Sequence, residues 1–190
     1  MYSQEEQQRV IAACARDPLF FGKAVAPQYF SKKFASFHPC MIDEVNNRPA
    51  NCKMVILEVP RGYAKTLIIS TLNPLHRAIF SNRSNQKIKF IVIASFSCDR
   101  ANLIMGDYKN IIDGENFQGI FPGTVFLTKR EDFIEVENKD LGFKFAIMAR
   151  GRNSQVAGMR YEETRPQIFI GDDLESPDES YNQLLSLIHI

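Results

Sequence analysis

Two short apolar runs set the terms on which this chain can fold. Ile88 to Ala94 and Gln167 to Ile170 are too short for helices and rich in β-branched or aromatic residues, so both read as buried strands. A third run, Lys53 to Val59, reads the same way, and Pro60-Arg61-Gly62-Tyr63-Ala64 ends it. Lys65 to Phe80 then reads as a helix in spite of Pro74, and Cys98 to Ile112 as another. Strand, helix, strand, helix and a later strand predict an α/β fold: a mostly parallel sheet flanked by crossover helices. Alternating runs between Thr124 and Met148, such as Phe133-x-Glu135 and Phe143-x-Phe145-x-Ile147, predict an antiparallel insertion.

Around this frame, Glu5 to Ala15 reads as a helix interrupted by Asp17-Pro18. His38-Pro39 opens a short helix over Cys40 to Asn46, and Asn47-Arg48-Pro49 ends it. Asp113-Gly114 and Pro122-Gly123 are turn signals, and the polar stretch from Arg150 to Arg165 reads as a loop with room for one helical turn.

Composition narrows the class rather than the function. The 190 residues suffice for one domain with a sizeable core, and 45% hydrophobic with 24% charged residues speaks against disorder and coiled coil. A net charge of +1 gives no global case for nucleic-acid binding, so a DNA-handling protein of this composition needs a local basic surface. The four cysteines form no Cys-x-x-Cys pair and no metal-ligand spacing with the three histidines, which reads as free thiols in a reducing compartment. The start is polar and acidic, and no apolar run approaches the roughly 18 residues of a membrane span, so a soluble, intracellular protein without membrane contact is expected.

Pro60 to Thr66 lies where a phosphate-binding loop belongs, between an expected strand and an expected helix. There backbone N–H groups face phosphate oxygens, Lys65 neutralises them, and the Thr66 hydroxyl reaches Mg2+. The match to Gly-x-x-x-x-Gly-Lys-Ser/Thr is imperfect, with Val59 in place of the first Gly and Ala64 before the Lys. Ala64 is expected to keep a negative φ, because it lacks the freedom of Gly. An ordinary strand-to-helix turn with a surface lysine is the alternative.

The run Ile168-Phe169-Ile170-Gly171-Asp172-Asp173 delivers two carboxylates at the end of a strand. The first suits Mg2+ and the second suits an attacking water, whereas the alternative makes Asp173 a helix cap. Between the insertion and these acids lie Arg150, Arg152, Arg160 and Arg165. Most such arginines are solvated, yet one on a Gly-flanked loop can reach a transition-state phosphate in cis or from a neighbouring subunit. Arg61, inside the loop itself, is a further candidate.

Together these blocks resemble the large subunit of phage terminases. The resemblance rests on Pro60-Arg61-Gly62-Tyr63-Ala64-Lys65-Thr66, on Ile91-Val92-Ile93-Ala94-Ser95 to Ala101, and on Arg150-Gly151-Arg152 through Arg165-Pro166 to Asp172-Asp173. It spans most of the chain from about Phe37 onward, and Arg61 stands four residues before Lys65, as in that family. It implies a P-loop ATPase that uses ATP and Mg2+ to drive double-stranded DNA through a portal protein into a procapsid. The ATPase would work in the host cytoplasm as a homo-oligomeric ring with a small terminase subunit.

By the same resemblance Pro60 to Thr66 bind the nucleotide, Thr66 and Asp172 hold the metal, and Asp173 polarises water. Arg160 acts across subunits, with Arg152 as its rival. The family's usual second acid is Glu, which leaves Glu175 as the alternative to Asp173. Phe37 and His38 resemble its adenine-side segment. Residues 1–36 are then an N-terminal helical segment and 37–184 an incomplete ATPase core. Residues 185–190, which match the translation of a transposon-end adapter, are expected to be a non-native tail, and the family's nuclease domain is not recognised. The rival functions are a helicase-like P-loop ATPase and a catalytically dead DNA-binding or assembly module.

Overall fold

A computed structural model of the chain describes residues 3–49, 51–81, 87–154 and 158–175. It is an α/β fold in which five strands form one mixed sheet, in the order β2-β3-β4-β1-β5. The strands are β1 (Phe90–Ser95), β2 (Val125–Lys129), β3 (Phe133–Asn138), β4 (Phe143–Gly151) and β5 (Ile168–Gly171). β1 pairs in parallel with β4 on one side and β5 on the other. β2, β3 and β4 form an antiparallel meander, as the alternation between Thr124 and Met148 predicts. The sheet is therefore mixed rather than mostly parallel.

The helices are α1 (Gln4–Arg16), α2 (Pro18–Val25), α3 (Phe37–Asn46), α4 (Asn73–Phe80), α5 (Cys98–Asp113) and α6 (Glu115–Ile120). Local chemistry sets their ends. Ser3 and Glu6 form a reciprocal capping box on α1, and Asp17 caps α2, with Pro18 in the first turn where its missing N–H costs nothing. Ser97 accepts from the Arg100 N–H and starts α5 two residues after β1 ends.

Two periodicities divide the sheet. Ile91 and Ile93 of β1, Ile134 and Val136 of β3, and Phe145 and Ile147 of β4 face the helices in one cluster with Phe21, Ile68, Leu72, Tyr108 and Phe121. Cys14, Phe21 and Val25 belong to the same cluster, so the first helices share the core of the sheet. Phe90, Val92, Phe133 and Ala146 point to the opposite face, where Met159 and Tyr161 cover them. The connection from β1 to β4 thus runs over the helical face, and that from β4 to β5 over the other. Because they travel in opposite directions across the sheet, both crossovers have the same hand.

Two expectations need correction. Lys53 to Val59 forms no strand, and Met54 and Ile56 are 72% and 74% exposed. A β-branched run suits an extended backbone, but it becomes a strand only against a neighbouring strand. Neither sheet edge, β2 or β5, pairs with it. β5 itself is an edge and not a buried strand: its burial alternates, and Phe169 is 52% exposed.

The helix expected from Lys65 to Phe80 divides. Thr66–Leu72 is π-helical and runs on into α4. Pro74 has no N–H for the carbonyl four residues before it, Ser70, and in an α-helix its ring would collide with that carbonyl. The wider π turn avoids the collision. The buried Tyr108 hydroxyl donates to the Ser70 carbonyl at 2.7 Å, supplying what the proline cannot. Tail residues 185–190 lie outside the described residues.

Candidate functional site

β1, β4 and β5 run in the same direction, and their carboxyl ends meet the loop that precedes the π-helical segment. The Asp172 N–H donates to the Ala94 carbonyl at 2.8 Å, the Phe96 N–H to Asp173 at 3.2 Å, and the Arg152 N–H to Ser95 at 2.7 Å. These backbone bonds weld the ends of the three strands into one floor. Onto it descend two side chains from far earlier in the chain. The Lys65 ammonium lies 3.3 Å from the Asp173 carboxylate, across 108 residues of sequence, and the Thr66 hydroxyl lies close enough to the Asp172 carboxylate to favour its charged form.

The loop has the backbone of an anion cradle. Gly62 has φ 84° and Ala64 φ 56°, whereas Tyr63 is not among the positive-φ residues and Lys65 has φ −52°. Residues alternating in handedness turn their successive N–H groups towards one concavity. The positive φ of Ala64 corrects the expectation that alanine there keeps a negative value. A left-handed alanine costs roughly 1–2 kcal/mol. It is held by the Lys65 and Thr66 contacts and by the Ile68 N–H, which donates to the Ala64 carbonyl at 2.9 Å. Gly62 carries the same handedness without a Cβ penalty, so the sequence places its one loop glycine where it is needed.

The two acids differ in environment. Asp172 is buried, and burial pushes its carboxyl up from its ordinary value; the charge of Asp173 adds to this, while the Thr66 hydroxyl, Lys65 and Arg100 pull it down. Asp173 is exposed, with a left-handed φ of 46°. A hydroxyl and a buried carboxylate side by side suit a small hard cation that takes its remaining ligands from phosphate and water. Among the described residues no group of three or more His, Cys, Asp or Glu side chains forms a cage that would bind a metal without such help.

The arginines separate. Arg61 is exposed in the loop turn. Arg150 is a structural residue, paired with Asp132 at 2.7 Å and donating to its neighbour's carbonyl. Arg152 stands at the site: besides its backbone bond to Ser95, its guanidinium donates to the Leu174 carbonyl at 3.3 Å. Arg160 is exposed between Met159 and Tyr161, and the Tyr161 ring packs on Phe90, the first residue of β1, at 5.9 Å. The acids lie beyond the other end of that strand, whose six residues span roughly 20 Å. Glu175 follows Leu174 and is half-buried. Arg100, which lies inside the Ile91-to-Ala101 block but received no role from the sequence, acts on Asp172 through its charge. Its signal in the sequence is its place in the first turn after β1, where a helix begins at the strand end that carries the site.

Phe37 and His38 flank the loop from the other side. The Phe37 ring lies 5.3 Å from that of Tyr63, and His38 Nε2 lies 3.2 Å from the Tyr63 carbonyl. Among the described residues no helix is long and apolar enough to cross a membrane. In comparisons with known families, curated proteins and solved structures, nothing matches this chain.

Proposed function

We propose that the chain is the ATP-binding and hydrolysing part of a DNA-packaging motor, of the kind found in the terminase large subunit. The observation that carries this reading is the convergence of Lys65 and Thr66 on Asp172 and Asp173 at the carboxyl ends of parallel strands. Open α/β sheets bind their ligands in that place.

In the proposed reaction the N–H groups of the loop from Gly62 to Thr66 receive the phosphates of ATP. Lys65 leaves Asp173 and neutralises the β- and γ-oxygens. That exchange is cheap, because an exposed pair of this kind contributes only about 0–1 kcal/mol. Thr66 and Asp172 hold Mg2+, which when bound offsets charge on the phosphate oxygens. Asp173, released from Lys65, orients a water and accepts its proton as the water oxygen attacks the γ-phosphorus and ADP leaves. Arg61 and Arg152 are the cis candidates for offsetting transition-state charge. Arg160, a strand's length from its own acids, serves a neighbouring copy in a homo-oligomeric ring. Double-stranded DNA, a portal protein and a small terminase subunit complete the proposed assembly, which works at the procapsid in the host cytoplasm.

The test is Mg2+-dependent ATP binding and turnover, with and without double-stranded DNA, in the wild type and in Lys65→Ala. Removing one phosphate-binding cation is expected to weaken binding at least tenfold, about 1.4 kcal/mol, with the fold retained. DNA stimulation of turnover supports packaging. Equal behaviour of wild type and variant sinks the phosphate-site reading and leaves a DNA-binding or assembly module in its place.

A further inference from the structure

We propose that His38 is a positioning residue for the phosphate loop, an inference that rests on reading residues 60–66 as that loop. His38 is only 9% exposed, and both its ring nitrogens are engaged. Nδ1 accepts from the Ala35 N–H at 3.2 Å and therefore carries no proton. Nε2 carries it and donates to the Tyr63 carbonyl at 3.2 Å. The ring is locked edge-on between Phe34, at 5.8 Å and 82°, and Phe37, at 4.4 Å and 72°, so it cannot turn to exchange these partners.

The carbonyl it holds is the one that matters for an anion. Tyr63 stands between the two left-handed residues, Gly62 and Ala64. In a trans peptide the carbonyl and the following N–H point in opposite directions. Fixing the Tyr63 carbonyl against α3 therefore aims the Ala64 N–H away from α3, and the adjoining donors follow the same alternation. The Phe37–Tyr63 ring contact braces the same residue from its side chain. His38 thus acts on the ligand through the loop and not by touching it, and it offsets part of the strain of the left-handed Ala64.

The experiment compares wild type, His38→Phe, His38→Gln and Lys65→Ala. His38→Phe keeps the ring and loses both hydrogen bonds, while His38→Gln keeps a donor for Tyr63. Binding of a fluorescent ADP analogue with Mg2+ is titrated well below every variant's melting temperature. Tryptic cleavage after Arg61 is followed without nucleotide, against cleavage after Lys129 as an internal control. His38→Phe is expected to weaken binding by about tenfold, the scale of one hydrogen bond's net contribution. It is also expected to speed cleavage after Arg61 but not after Lys129, and His38→Gln to recover most of both.

Binding within twofold of wild type in His38→Phe, or cleavage accelerated equally at both sites, overturns the proposal; equal acceleration would mark a general loss of structure. If wild type and Lys65→Ala both fail to bind while cleavage after Arg61 still responds to His38, the phosphate-site reading fails and the brace on the loop stands.

Discussion

Replacing Tyr108 by Phe isolates one hydrogen bond on which the geometry of the π-helical segment depends. Tyr108 is fully buried, and burial raises its hydroxyl pKa well above the ordinary value, so it remains a donor across the physiological range. Its partner is the Ser70 carbonyl, for which Pro74 has no N–H. Phe keeps the ring and its packing, so no cavity forms and the loss is that of a donor to a buried acceptor. That costs about 1–3 kcal/mol. In a chain of this length it lowers the melting temperature by about 2–4 °C per kcal/mol, and at a slope of about 2 kcal/mol/M it moves the urea midpoint by about 0.5–1.5 M.

The decisive assay is a double-mutant cycle with Pro74→Ala. Restoring an N–H at position 74 gives Ser70 a helical donor, so Tyr108→Phe should cost clearly less in that background than in wild type. Thermal and urea unfolding of the four proteins measure the coupling. Strict additivity, or a Tyr108→Phe variant that melts within about 1 °C of wild type, would refute the dependence of the π segment on Pro74 and Tyr108.

Three further outcomes follow from packing and charge. A Cβ on Gly151 would lie 2.9 Å from the Cys98 nitrogen and 3.2 Å from the Ser97 carbonyl carbon, so Gly151→Ala should cost about 1–3 kcal/mol by overpacking. On Gly171 its nearest neighbours would all belong to the Leu174 side chain, which can turn aside, so Gly171→Ala should melt closer to wild type, and equal losses would argue against the β4–α5 contact. Arg150→Ala should lose about 0.5–1 kcal/mol of its partly exposed ion pair and leave nucleotide affinity unchanged, whereas a collapse of affinity would move Arg150 into the site. His76 is buried with Nε2 on the Cys14 carbonyl at 2.9 Å, and burial lowers its pKa below the ordinary 6.5. The folded state thus favours the neutral ring; this stability is fully present above pH 6.5 and is lost as pH falls from there towards the folded-state value. Urea midpoints measured from pH 7.5 to 5 should fall in wild type and flatten in His76→Gln, and parallel curves would exclude His76 as the cause.

What the sequence determined is what depends on neighbours a few residues away. The strands β1 to β4, the helices α3 and α5, and the breaks at Asp17-Pro18 and Gly123 follow from period, caps and turn residues, which act over one or two turns. The candidate site was legible for the same reason: Lys65-Thr66 opens a helical segment after a turn, and Asp172-Asp173 closes a strand. The sequence also located Gly62, but it misjudged Ala64, because a left-handed alanine is disfavoured locally and is held only by contacts made from elsewhere.

Tertiary structure decided everything that depends on which backbone lies alongside. Lys53 to Val59 has the composition of a strand and no partner, so it stays out of the sheet. β5 has the composition of a buried strand and lies at an edge. Arg150, Arg152 and Arg160 are alike in sequence, yet one is bound to Asp132, one stands at the acids, and one lies a strand's length away. Local pattern records the conformation a segment favours. Pairing and burial are properties of two segments at once, and only the folded chain assigns the second.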